Sequence, residues 1–347
     1  MSEFRVDKIT NRDGSAGTQI CGVSTFSGTS GMIMPGGPTE YRGGRGRGFF
    51  GSGATPSNTR NLDMIEIATK GDGTDWGDDS VDGRQEGNAS FASSTRGIWA
   101  GGYVGGAISG IVYTTMSSLG GVSNFGNLSS GRYSNAGAGD KTRGISFGGK
   151  TAPSGPHENL IDYVTIASTG DGTDFGDLTE GVSFVGSGIN NTTRAIKTCG
   201  TRVTGNTAGN IIDYITTQST GNATDFGDAI TKKNSLAGCS NKTRGIYGGG
   251  QGPSGNFNTI EYVTIATTGD ATDFGDLAHG GNNGQIDYLG ACASLTRGVF
   301  AGGQTPTKIN TIQYVELAST GNTLDFGDLT NARRFCSGFS DCHGGLT

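Results

Sequence analysis

An Arg-Gly phrase, or a close variant of it, returns six times along the 347 residues: "RGFFGSG" at Arg47, "TRGIWAGG" at Thr95, "TRGISFGG" at Thr142, "TRAIKTCG" at Thr193, "TRGIYGGG" at Thr243 and "TRGVFAGG" at Thr296. Its arginines are Arg47, Arg96, Arg143, Arg194, Arg244 and Arg297, so successive copies stand 49, 47, 51, 50 and 53 residues apart. A period near fifty constrains the fold more than composition does. A unit of that length is one supersecondary element, which must stack on its neighbours to bury its apolar faces.

Each phrase is followed by a variable loop and then a strand-like segment, such as "NLIDYVTIASTG" or "NTIEYVTIATTG". In the latter, Ile260, Tyr262 and Thr264 alternate with Glu261, Val263 and Ile265. Apolar residues on both faces describe a strand held between two other sheets. A Thr-Gly-Asp/Asn segment then turns the chain, and "TDFGDL" begins a partner strand whose aromatic position holds Trp76, Phe125, Phe175, Phe226, Phe274 and Phe326. A fourth, small-residue segment precedes the next phrase, as in "NSLAGCSNK" and "YLGACASL". Six units of four short antiparallel strands predict an all-β fold, a six-bladed β-propeller.

The first unit lacks the small-residue strand, while the last runs on into "TNARRFCSGFSD". Residues 331–341 are therefore expected to complete blade 1 and close the ring. The predicted domains are 1–44, an N-terminal extended attachment arm, and 45–347, the propeller. The arm's short β-like runs ("FRVDKI", "TQICGVSTF", "MIMP") are too few to bury a core alone, so it is expected to need a partner surface.

Composition removes several alternatives. The 66 glycines show no three-residue period and come with only 7 prolines, which excludes collagen. A net charge of −6 argues against a nucleic-acid partner, and the one basic run, "YRGGRGRG" at Tyr41–Gly48, is a single short copy of an RGG-like pattern. No stretch approaches the roughly 20 apolar residues of a membrane span. The start "MSEFRVDKIT" lacks an apolar centre. No membrane insertion is expected, nor export by the usual route. Of six cysteines none forms a CxxC pair, and Cys239 and Cys292 occupy the same place in successive repeats, as small core residues would.

The paired glycines (Gly101 and Gly102, Gly148 and Gly149, Gly249 and Gly250, Gly302 and Gly303), the later tyrosines (Tyr113, Tyr163, Tyr214, Tyr262 and Tyr314, with Met64 in the first unit) and the aromatic position resemble the kelch-repeat propellers over about 300 of the residues. "TRAIKTCG" breaks the glycine pair, and the "TDFGDL" ending is not a general kelch feature. That ending, together with the head "VDKITNRDGSAGTQICGVSTFSGTSGMIMPGGPTEYRGG", resembles structural proteins of tailed phages, particularly those infecting marine cyanobacteria. The resemblance implies a virion location: a propeller displayed as a tail-fibre, baseplate or surface-decoration module. Its partners would be other virion proteins, held through residues 1–44, and a host-surface glycan or protein. An intracellular kelch-type interaction scaffold is the alternative.

Candidate chemistry is sparse. The acidic phrase "GDGTDFGD" offers Asp171, Asp174 and Asp177, yet a calcium site needs six to eight converging oxygens, and Asn222 and Asn322 replace the first aspartate elsewhere. Turn chemistry explains the phrase better. The six arginines are expected to pair with recurring aspartates such as Asp174, Asp225, Asp273 and Asp325. His157, His279 and His343 have no metal-ligand spacing. Some kelch-type propellers are copper oxidases using Tyr, His and Cys, for which no matching set stands here. No catalytic activity, metal or cofactor is predicted. The loops between the paired glycines and the tyrosine strand differ from unit to unit, and are expected on one face, where repeat scaffolds carry binding diversity.

Overall fold

The computed structural model describes residues 25–27, 31–33, 46–54, 60–79, 81, 87–118, 120–184 and 188–342. The chain divides into two compact units, Met1–Arg42 and Gly43–Thr347. In the first, Thr25–Ser27 pairs antiparallel with Gly31–Ile33. The expected runs "FRVDKI" and 18–24 lie outside the described residues.

The second unit is the six-bladed propeller that the repeat predicts. Blade 3 is representative: Ala136–Gly139, Arg143–Phe147, Leu160–Thr165 and Thr173–Asp177 pair antiparallel in that order. Blade 1 closes as expected, through the narrower segment Ser337–Ser340, which pairs with Arg47–Gly51 in the register Gly48↔Ser340 and Phe50↔Gly338. Asp341 finishes the closure. Its Oδ1 accepts from the backbone N–H of Gly46 (3.0 Å) and Arg47 (2.9 Å). Asp140 makes the same cap within one hairpin of blade 3, accepting from Thr142 and Arg143. A residue from the far end of the chain thus does the work of a local turn.

Neighbouring blades interlock through one position on each first strand and one on the next blade's second strand. A Cβ at Gly97 would strike Phe339, one at Gly144 would strike Phe91, and one at Gly245 would strike Ile189. The Cys239 and Cys292 sulfurs stand likewise against Gly298 and Gly48. Only blade 4 carries Ala195 in place of glycine, and there the facing residue is Ala138, in the same buried cluster. Hence the alanine of "TRAIKTCG" is compensated on the blade before it, while Cys199, which breaks the glycine pair, takes φ 51° there. Burying each large knob contributes about 1.5–3 kcal/mol, and glycine is needed because the hole must be empty.

The phrase "TDFGDL" is a β-bulge as well as the end of a turn. Ile161 pairs with Gly176 and Asp162 with Asp174, which leaves Phe175 as the extra residue. The same register shift recurs in all six blades. The bulge turns the ring inward: Phe175 is 2% exposed and meets Tyr163 edge-on, with centroids 5.9 Å apart. The glycine after it takes φ 143°, and its position leaves no room for a Cβ against the Gly221 carbonyl of the next blade.

That close approach explains why the phrase repeats. The outer strand of blade 3 would otherwise be an unpaired edge. Instead Gly221 and Ala223 donate N–H groups to the Phe175 and Asp177 carbonyls, and Asn222 Oδ1 accepts from Asp177 N–H at 3.0 Å. Asp171, Asp270, Asn322 and Asp72 do the same for Asn127, Asp228, Asp276 and Asp328. Asp and Asn interchange here because only an acceptor oxygen is required.

Candidate functional site

The six repeated arginines form a ring at the hairpin face of the disc, but the expected partners are wrong. Among the described residues none pairs with Asp174, Asp225, Asp273 or Asp325, all of which are exposed on the outer strands. Each guanidinium instead lies over its own blade's tyrosine, as with Arg143 over Tyr163 (4.7 Å) and Arg244 over Tyr262 (4.5 Å). Each then reaches the following blade to donate to a backbone carbonyl: Arg143 to Thr217, Arg194 to Ile265, Arg244 to Leu317. Arg297 donates to Ile67 and Ala68 and so carries the ring across the closure. In blade 1, where Met64 replaces tyrosine, Arg47 sits over Trp76 at 5.3 Å and donates to Met116. Glutamates rather than aspartates supply the carboxylates present, Glu66 for Arg47 and Glu316 for Arg297. The planar guanidinium matches both tasks, stacking by its face and donating by its edge. The aromatic positions Trp76, Phe125, Phe175, Phe226, Phe274 and Phe326 are all buried beneath this ring.

A second charged layer escaped the sequence reading. Four blades bury an ion pair on the third strand: Arg333 with Asp63, Arg132 with Asp162 (2.8 Å), Lys197 with Asp213 (3.3 Å) and Lys233 with Glu261 (2.8 Å). In blades 1 and 3 the cation comes from the linker into the first strand, and in blade 5 it comes from Lys233, the last residue of the long outer strand Thr224–Lys233 of blade 4. In blade 4 that linker position is Val182, and Lys197 of the second strand supplies the charge instead. Blades 2 and 6 carry Val112 and Gln313 at the carboxylate position, and Gln313 accepts from Thr323 and Ala278. The carboxylates also hold the linkers, Asp162 accepting from Ser129 N–H and Oγ. Burial lowers the pKa of Arg132, against the opposing pull of Asp162 and Glu158.

The variable loops and the linkers between blades emerge together at the opposite face, as expected, and are joined by the bridges Tyr133–Lys150, Asn234–Gln251, Asp287–Gln304 and Ala54–Arg334. At its centre the linkers enter the first strands through residues in the left-handed region: Ser134 (φ 54°), Phe184 (48°), Ser235 (57°), Tyr288 (56°) and Phe335 (60°). Their amides run round the axis. Ser134 donates to Gly87 O, Ser235 to Phe184 O, Tyr288 to Ser235 O and Phe335 to Tyr288 O. Glycine would adopt this backbone freely, whereas an L-residue sacrifices about 1–2 kcal/mol there. Bulky aromatics in three such places are outliers that call for an explanation.

Those aromatics gather on one side of the axis. Tyr288 and Phe335 are 4.1 Å apart between centroids, and Tyr288 and Phe184 6.4 Å. Gly87, Asn88, Ser134 and Asn135 form the other side of a depression of about 50 Å3. The Ser134 Oγ is buried and without a hydrogen-bond partner. Next to Tyr288, Asp287 is also buried with Oδ1 unpaired, and burial pushes its pKa up to about 6 against the pull of Arg334.

The nucleophile-like groups are placed for structure. His157 Nδ1 lies 2.7 Å from Ser183 Oγ and its Nε2 2.9 Å from Asn206 Oδ1, a Ser-His-Asn chain that ties a blade 3 loop to blade 4. Ser183 is fully buried in a strand, so no substrate carbonyl can reach its oxygen. Burial also raises the Cys199, Cys239 and Cys342 thiols to about 12, which keeps them protonated and inert. His279 lies in the linker between blades 5 and 6, away from His157 in blade 3, and His343 lies outside the described residues. In comparisons with known proteins, no family model and no curated protein matches the chain.

Proposed function

We propose that this protein is a structural component of a tailed-phage virion, a kelch-like propeller displayed on the particle as a tail-fibre, baseplate or surface-decoration module and attached through residues 1–44. The observation that carries the reading is the division of labour within the propeller. Five of its six outer edges are capped by the next blade's Asp or Asn, and its chain ends meet in blade 1. A ring saturated in this way has few spare backbone groups at its rim, and can stand exposed on a particle without recruiting strands from its neighbours. Its loop face then carries the variation, which fits contact with a host surface, and the separate N-terminal unit is available for docking. The phage resemblance of the head and of the "TDFGDL" endings supplies the particle.

Particle composition tests this directly. The full chain should appear at fixed stoichiometry in the mass spectrum of purified virions. A chain beginning at Tyr41 should be missing from the particles, while residues 1–44 fused to an unrelated domain should be incorporated. Recovery of the protein only from cytoplasmic complexes of infected cells would favour the alternative, an intracellular interaction scaffold.

A further inference from the structure

We infer that the ring is built to open at one seam, along the outer half of the contact between blades 1 and 2. The inference concerns the propeller alone and does not depend on the virion reading. All six seams follow one pattern, so each can be compared with the other five. At five of them the turn of the following blade clamps the outer strand in three places. Two backbone N–H groups reach the strand's carbonyls, and an Asp or Asn side chain between them accepts from the strand's own N–H. The backbone bonds of those five clamps are 2.6–3.0 Å long.

Between blades 1 and 2 the clamp is incomplete. Gly120 and Val122 reach the Trp76 and Asp78 carbonyls at 3.4 and 3.3 Å, the weak end of the hydrogen-bond range. The residue between them is Gly121, which has no side chain to accept from Asp78 N–H. A second fastener is missing from the same seam. Elsewhere the linker leaving one blade is held by the third strand of the next: Ser129 by Asp162, Thr179 by Asp213, Thr231 by Glu261, Ala278 by Gln313 and Thr330 by Asp63. Blade 2 carries the buried Val112 at this position, and its side chain offers a linker no acceptor. The arginine bond is common to all the seams, Arg47 to Met116 included, and does not distinguish them. The inner half of this seam is firmly packed, with Phe339 filling the hole over Gly97 and its ring 4.6 Å from that of Trp99. An inner contact that stays shut beside an outer one held by two long bonds makes a hinge. Local opening breaks only the contacts it crosses, so the least fastened seam opens most often. The seam that closes the chain, between blades 6 and 1, is not the weak one, because Asp72 and the Thr330–Asp63 bond complete it.

Hydrogen exchange of the full chain, read by mass spectrometry on short peptides and scaled to the rates of the unstructured chain, tests the seam. Peptides covering 74–78 and 120–123 should exchange about tenfold faster than those covering 173–177 and 221–224, their equivalents between blades 3 and 4. Gly121→Asn should remove most of that difference, since the backbone of Gly121, like that of Asn222, lies outside the left-handed region. Gly121→Ala restricts the unfolded chain in the same way but brings no acceptor, and should leave the fast exchange in place. The converse change, Asn222→Gly, should bring fast exchange to the seam between blades 3 and 4. Equal protection at all six seams would overturn the proposal, as would an alanine variant that protects as well as the asparagine one. Fastest exchange between blades 6 and 1 would overturn it in favour of opening at the chain closure.

Discussion

The two faces of the disc are built on opposite terms. At the hairpin face one solution is used six times: an arginine over an aromatic ring, donating to the next blade, with an aromatic residue at a bulge below. At the loop face five linkers share a left-handed residue but differ in side chain, and hold buried polar atoms without partners at Ser134 and Asp287. Repetition marks where stability is produced. Divergence marks where it has been given up, and substitutions on the two faces should therefore have effects of opposite sign.

Closure should show the largest effect. Removing everything after Leu329 takes away the first strand of blade 1, the Phe339 knob that fills the space over Gly97, and the Asp341 cap. Loss of a buried Phe alone costs about 3–5 kcal/mol, and the exposed edge of Arg47–Gly51 invites aggregation. The shortened chain should be largely insoluble or melt far below the parent, as read by calorimetry. Unchanged melting would mean that the ring does not depend on this strand.

The buried ion pairs come next. Asp162→Leu leaves Arg132 charged and unpaired in the interior and should destabilise by about 3–5 kcal/mol in urea titration. Adding Arg132→Met should recover most of that loss, because blade 2 already carries Val112 at the carboxylate position. If the double variant is as unstable as the single one, the carboxylate matters chiefly as the anchor of Ser129 and not as a counter-ion.

How much of this could be read from the sequence depends on whether an interaction recurs. The period, the four strands, the ring and its closure were legible, since each repeats or is conspicuously missing once. The arginines were legible as positions but not in their partners. Sequence spacing puts aspartates near them, whereas the bulge at Phe175 and its equivalents sends Asp174, Asp225, Asp273 and Asp325 outward, and an aromatic ring, a tyrosine in five blades and Trp76 in blade 1, lies under each guanidinium instead. The buried pairs were hidden because the cation changes strand: Lys197 compensates for Val182 only once the register Lys197↔Asp213 is known. The axial depression was hidden for the opposite reason, being made of residues from several blades with no shared type.

A smaller loss is expected when Arg143 becomes lysine. An ammonium keeps the charge but cannot both stack on Tyr163 and donate along its plane to Thr217. The change should lower stability by about 1 kcal/mol. Six such changes together should accumulate if the blades act as near neighbours in a ring, and a cost no larger than that of an exposed Arg-to-Lys change would show the stack to be incidental.

On the loop face the sign should reverse, and Asp287 gives the clearest case. An aspartate in the unfolded chain titrates near 3.9, whereas burial raises Asp287 in the folded protein to about 6. Between these values the native state holds a proton that the unfolded state has released, so this residue makes stability fall as pH rises from about 4 to about 6, and the loss is complete above that window. Asp287→Asn removes the ionisation while keeping the shape. It should match the parent at pH 4 and exceed it at pH 8, by about 1 kcal/mol once the effect is reduced for solvent screening. Urea midpoints measured across that range decide the matter. Parallel curves for the two proteins would show that Arg334 stabilises the carboxylate fully, and the loop face would then share the economy of the hairpin face instead of departing from it.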